Sequence, residues 1–193
     1  MHRRVGMLSS ALAAACLAAG TGAVRAASGE ALSPAAEDAL RLIETGDAYE
    51  RQVGFLRIEA LREPASVEPL RAYITHKDEV RRAYALRALA AIQGAEAVPL
   101  LLEKLSHDKH GRVRRAAVLG LEPLVNASPE ILPALIKALR DHRTDVRMAA
   151  VDVVSRIDHP QAREAIRMRN KREARRDVKR VLRVAMKRMH LEK

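Results

Sequence analysis

A chain of 193 residues with 48% hydrophobic content is long enough to bury a core of its own, so disorder is excluded as the default state. Aromatic residues make up only 2%, with no Trp and one Phe, which leaves Ala, Leu, Val and Ile to fill the interior and points to closely stacked helices. The formal net charge of +11 is uneven: residues 160–193 hold 13 Lys and Arg against 4 Asp and Glu, whereas residues 27–159 hold 19 against 20.

The first 26 residues read as an export signal. Met1-His2-Arg3-Arg4 is a short basic start, an Ala-rich apolar stretch runs from Val5 to Val24, and Val24-Arg25-Ala26 offers small residues where a signal peptidase cuts. Cleavage is expected after Ala26, giving a periplasmic or secreted protein. An uncleaved membrane-anchoring start is the alternative, although the stretch is weakly apolar for a spanning helix. Cys16 sits in a poor lipidation context, because the Leu expected three residues upstream stands at Leu12 instead. Arg3-Arg4 lacks the rest of a twin-Arg pattern. The mature chain would carry no cysteine, and disulfides would play no part in its stability.

After a short lead at 27–33, expected to be flexible, a motif recurs at nearly constant spacing: Val80-Arg81, Val113-Arg114, Val146-Arg147 and Val178-Lys179, with steps of 33, 33 and 32 residues. Such a period marks a stack of small similar units. Each unit reads as helix A, a tight turn and helix B. Pro69, Pro99 and Pro133 suit the first turns of helices A, where a missing N–H costs nothing. Turns are expected at His76-Lys77-Asp78, at 107–111 and at 141–144, with Asp or Thr capping the helix that follows. On helix B, Ala83, Tyr84 and Ala88, then Ala116, Ala117 and Leu121, then Ala149, Ala150, Val153 and Val154 cluster on one side at helical periodicity.

A degenerate first unit aligns Asp47-Ala48-Tyr49 with Asp78-Glu79-Val80, and Phe55, Ile58 and Leu61 with Leu86, Leu89 and Ile92. Gln52 and Gly54 depart from the pattern, as a terminal cap does. The predicted units are about 34–62, 66–93, 96–125, 129–157 and 160–189, with a tail at 190–193. Pro123 is expected to end or kink the third helix B.

The repeated strings resemble the HEAT-repeat family, specifically the short HEAT-like repeats also found in phycobilisome lyases, over residues 34–189. The resemblance implies an all-α, right-handed α-solenoid of about five helix pairs. It is nearly silent on function, because such repeats are scaffolds for recognition more often than for chemistry. It also implies that Arg81, Arg114 and Arg147, with Lys179 in the same column, form a structural Arg/Asp ladder between neighbouring units, with Asp78, Asp108 and Asp145 as partners.

Two surfaces are candidates for binding. By the same analogy helix B lines the concave face, which makes Arg82, Ala85, Arg115, Val118, Met148 and Val151 a groove with a shallow apolar floor and a basic edge for a protein or peptide. Apolar residues there could equally be buried between units. The last helix carries Arg172, Arg175, Arg176, Lys179, Arg180, Arg183 and Lys187 mainly on one broad face, opposite Ala174, Val178, Val181, Leu182, Ala185 and Met189. That face reads either as the solvated cap a terminal repeat needs or as a site for an anionic membrane surface or other polyanion. Nucleic acid ranks last among polyanions, since export removes the usual partner and stacking aromatics are nearly absent.

No enzyme, cofactor or metal is expected. The chain has no Gly-rich phosphate loop, no H-E-x-x-H and no G-x-S-x-G. The turn histidines His76, His107, His110 and His142 come without cysteine and at no ligand spacing. HEAT-repeat di-iron hydroxylases use His-Glu dipeptides, and no His here precedes Glu. DNA glycosylases on such repeats hold a base with aromatics, and the chain has no Trp. Phycobilin lyases act on cytosolic proteins that an exported chain would not meet. The reading is an exported, non-catalytic interaction scaffold, monomeric by default. Its alternatives are an envelope adaptor held by the basic last helix and, third, a lyase-like enzyme.

Overall fold

The computed structural model describes residues 31–192; the expected signal segment and Cys16 lie outside them. Among the described residues ten α-helices follow one another: α1 Pro34–Thr45, α2 Ala48–Leu61, α3 Val67–Arg71, α4 Glu79–Gln93, α5 Val98–His107, α6 Gly111–Leu121, α7 Ile131–Ala138, α8 Thr144–Val154, α9 Pro160–Arg172 and α10 Arg176–Arg188. They pair as A and B helices into an all-α solenoid. Every substantial helix–helix contact lies within a pair or between consecutive pairs, and the B helices form one continuous row, α2, α4, α6, α8, α10. A chain built this way is stabilised pair by pair through nearest neighbours.

Local chemistry sets the ends of the helices. Asp47 opens α2 with a reciprocal cap: its Oδ1 accepts from the Tyr49 and Glu50 N–H groups at 2.8 and 2.9 Å, and Glu50 accepts from the Asp47 N–H at 2.8 Å. Asp78 opens α4 by accepting from the Val80 N–H at 2.8 Å. Pro34, Pro99 and Pro160 occupy first turns, where no N–H is needed. Gly94, at φ +56°, ends α4 in the left-handed region that favours glycine. The apolar run from Glu79 to His107 is long enough to cross a membrane by composition alone, yet it is two helices turned at this glycine. After α6 the backbone tightens into a 3₁₀ turn, Glu122–Leu124, that contains Pro123.

The core runs the length of the stack. Leu86, Leu89, Leu101, Leu121, Leu135, Ile166 and Leu182 are fully buried. Between them small residues keep the helices close, with Ala85, Ala117 and Ala150 fully buried on α4, α6 and α8. Leu32 is buried too, and the Ser33 N–H donates to Glu63 at 3.1 Å, so the end of the lead belongs to the folded domain and is not free as expected. Leu191 is buried at the opposite end, its N–H donating to the Met186 carbonyl at 2.9 Å. Ala149 is 8% exposed among neighbours with little room to move. Ala149→Leu therefore overpacks the stack and lowers stability by about 1–3 kcal/mol; an unchanged melting temperature contradicts this packing.

Candidate functional site

The joints between units are built on buried arginines. Arg82 Nε and Nη2 donate to Asp108 at 3.0 and 3.1 Å, while Nη1 donates to the carbonyls of His76 and Lys77. Arg114 repeats this on Asp141 at 2.7 and 2.8 Å and on the Asp108 carbonyl. Arg147 repeats it on Glu173 at 3.0 and 3.4 Å and on the Asp141 and His142 carbonyls. Each guanidinium thus ties its own A-to-B turn to the next one. The paired geometry suits the planar fork of Arg.

Burial works to raise each carboxyl, but the backbone N–H and guanidinium bonds outweigh it. Asp108 and Asp141 are held below the usual range, and Glu173 falls to about 2. Its partners there are the Arg175 N–H, Arg169 and Arg147.

The ladder corrects the expected one. Arg81 is not in it; Arg82 is, because the helix-starting residue of α4 is Asp78 while those of α6 and α8 are His110 and Arg143. Counted from these residues, Arg82, Arg114, Arg147 and Lys179 share position +4, with Arg175 opening α10. Arg81 instead stands in the column of Val113 and Val146, with its Nε 3.8 Å from Asp78. Asp78 and Asp145 are not rungs either. Asp78 caps α4, and Asp145 pairs with Arg143 at 3.3 Å. Nor do Asp108 and Thr144 cap from the starting position: Asp108, Asp141 and Glu173 each sit two residues before it and accept its N–H.

The missed signal was an interval of six. Asp108 to Arg114, Asp141 to Arg147 and Glu173 to Lys179 are all six residues, as is His76 to Arg82. His76 fills the carboxylate position, its Nδ1 accepting from the Asp78 N–H at 3.0 Å. Burial and then Arg81 push its imidazole down, which keeps that nitrogen an acceptor.

The expected groove is only partly on the surface. Arg82 is in the ladder, and Ala85, Val118 and Val151 are fully buried between helices, so none of the four can form a groove floor. Arg115 is exposed and Met148 half-buried. They share the front of the B helices with residues sequence reasoning passed over: Tyr49, Leu56, Val80 and Arg112. Tyr49 is 74% exposed, Leu56 40% and Val80 37%. Positions +2, +5 and +9 from the helix start fall within about 60° of one another at helical periodicity. Over α2 and α4 the front carries Tyr49, Leu56 and Val80 beside exposed Gln52 and half-buried Arg87, which pairs with Glu59, and over α6 it is basic, where Arg112 and Arg115 meet no carboxylate among the described residues.

At the other end, Arg172, Arg175, Arg176, Lys179, Arg180, Arg183 and Lys187 are all exposed. Of these only Arg175 lies within ion-pair reach of a carboxylate among the described residues, 3.9 Å from Asp177. On the opposite side Val178, Leu182, Ala185 and Met189 are buried, Val181 is half-buried, and Ala174 is exposed, contrary to its expected place on the packed face.

The sequence profile of HEAT repeats matches residues 34–122 and again 98–187. The chain belongs to the HEAT-repeat family. No curated protein matches it. Among solved structures this HEAT-repeat protein is similar to the complex of CpcE and CpcF of phycocyanin lyase from Nostoc sp. PCC7120, at 22% identity and a TM-score of 0.66, over 79% of this chain and 98% of that one. It is also similar to a designed armadillo repeat protein in complex with the peptide (KR)4, at 15% identity and a TM-score of 0.52, over 78% of this chain and 80% of that one. At these identities the likeness establishes the helical-repeat fold and no activity.

Proposed function

We propose that this HEAT-repeat protein is an exported, non-catalytic scaffold that binds a protein or peptide segment on the front of its B helices. The observation that carries the reading is the exposure of Tyr49, Leu56 and Val80, with Val184 of α10 in the column of Leu56, in a molecule whose one other exposed large apolar residue among those described is Leu61. Arg112, Arg115 and the half-buried Met148 continue that surface, so the segment it suits has an apolar end and an acidic end. Tyr49 and Leu56 supply the anchoring area, while Arg112 and Arg115 set register and speed encounter. The armadillo neighbour, with a bound peptide, supports a repeat surface as a peptide-binding platform. Export rests on residues 1–26 and gives a periplasmic or secreted location.

A photo-crosslinker at Val80 or Arg115 is expected to capture one recurrent partner that a crosslinker at exposed Glu103, on helix α5, does not reach. Tyr49→Glu with Leu56→Glu is expected to lose that partner with the melting temperature unchanged. Equal capture from Glu103, or retention of the partner by the folded double variant, contradicts the front as the site. For export, the protein recovered outside the cytoplasm is expected to begin at Ala27; an intact N-terminus on cytosolic protein contradicts it.

A further inference from the structure

Four positions along the B helices reach forward to the next unit. At +1, a Cβ added to Gly111 would come within 2.7 Å of Arg143 Cγ in the following unit. At +4 stand Arg82, Arg114 and Arg147, each bonded to the next unit's carboxylate. At +8 Phe55 stacks on Tyr84 of the next unit, with ring centroids 5.9 Å apart. At +12 Glu59 accepts from Arg87, Glu122 from Arg156, and Ser155 from Arg188, always across the joint.

On α10 the same positions are Arg176, Lys179, Arg183 and Lys187, and no unit among the described residues covers them. At +8 a cation replaces Phe55, Leu86, Val118 and Val151; at +12 it stands where Glu59, Glu122 and Ser155 accept. All four are exposed, and none meets a carboxylate among the described residues.

We infer that this forward face of α10 docks electrostatically on an anionic lipid bilayer. A solvated cap needs polarity and is satisfied by mixed signs; four like charges spread over about 17 Å of one helix instead make one attractive surface for anions. A two-fold dimer through this face is excluded, since the face would meet its own charge. An acidic protein is disfavoured because protein interfaces are held by apolar and aromatic anchors, and this row carries none. The packed side of α10 is buried in the stack, so the helix lies on the headgroups and does not insert. Mobile lipid headgroups can collect around fixed cations without any matching shape. The inference is independent of the B-helix front and would survive the failure of that reading.

The test is the partition of the full chain onto phosphatidylcholine vesicles with and without phosphatidylglycerol. Wild type is expected to bind the anionic vesicles at least about tenfold better and to be released by salt. Arg176→Gln, Lys179→Gln, Arg183→Gln and Lys187→Gln together are expected to weaken that binding by about six-hundredfold, each cation near a surface being worth roughly a factor of five. Arg57→Gln, Lys109→Gln, Lys137→Gln and Arg140→Gln remove the same charge from exposed positions elsewhere and are expected to retain binding. Equal binding to neutral vesicles, insensitivity to salt, or equal loss in both variants overturns the inference. So does a markedly tighter hold on soluble heparin than on vesicles, which would assign the face to a polymeric anion.

Discussion

Glu173→Ala is expected to lower stability by about 3–5 kcal/mol, the range for leaving a buried charge without its partner. Glu173 is 4% exposed and accepts from Arg147, itself 8% exposed, from Arg169 and from the Arg175 N–H. Its removal strands the Arg147 guanidinium at the joint between α8 and α10. Because units in a linear stack depend on their neighbours, the loss should fall on the last pair: hydrogen exchange is expected to quicken across α9 and α10 first and to leave α4 and α6 protected. Glu164→Ala, on an exposed position of α9, is the control and is expected to be neutral.

Acid has the same target. With a folded pKa of about 2 against 4.5 for the free group, Glu173 contributes stability that is fully present above pH 4.5 and is lost as pH falls toward 2. The contribution is on the order of 3 kcal/mol. Unfolding midpoints measured across that window should fall for wild type and stay flatter for Glu173→Ala.

Gly54→Ala is the second large effect. An added Cβ would lie 2.6 Å from the Ala39 carbonyl oxygen and 2.8 and 3.1 Å from Ile43 Cγ1 and N. Two of these are backbone atoms of α1, which yield only if the helices separate. The gain in helix propensity, about 1 kcal/mol, opposes the cost and does not cover it. A net loss near or above the upper part of about 1–3 kcal/mol is expected, read as a lowered denaturant midpoint. A rise in stability would show that α1 and α2 are not packed at this distance.

Gly54 also shows what the sequence can and cannot disclose. It looks like decay of the repeat in a terminal unit, yet it occupies the column of Ala85, Ala117 and Ala150 and marks the tightest of those approaches. The period, the helix pairs and the Pro-marked starts were legible because they are local and recur. The ladder register was not, because Arg81 and Arg82 are adjacent and the string Val80-Arg81 copies Val113-Arg114. Only the turn geometry separates them: α4 starts one residue nearer its arginines than α6 does. Val80, aligned with buried Val113, is exposed for the same reason, which hid the apolar end of the front face. Ala85, Val118 and Val151 were ambiguous in principle, since an apolar stripe between helices and one facing solvent have the same periodicity.

Forward-reaching arginines, in the register of Arg82 and not Arg81, join unit to unit. A double-mutant cycle over Arg82→Ala and Asp108→Ala tests it, with Arg81→Ala and Asp108→Ala as the parallel cycle. A coupling energy of at least about 1.5 kcal/mol is expected in the first cycle and one near zero in the second. Additive losses in the first, or coupling that follows Arg81, would contradict it.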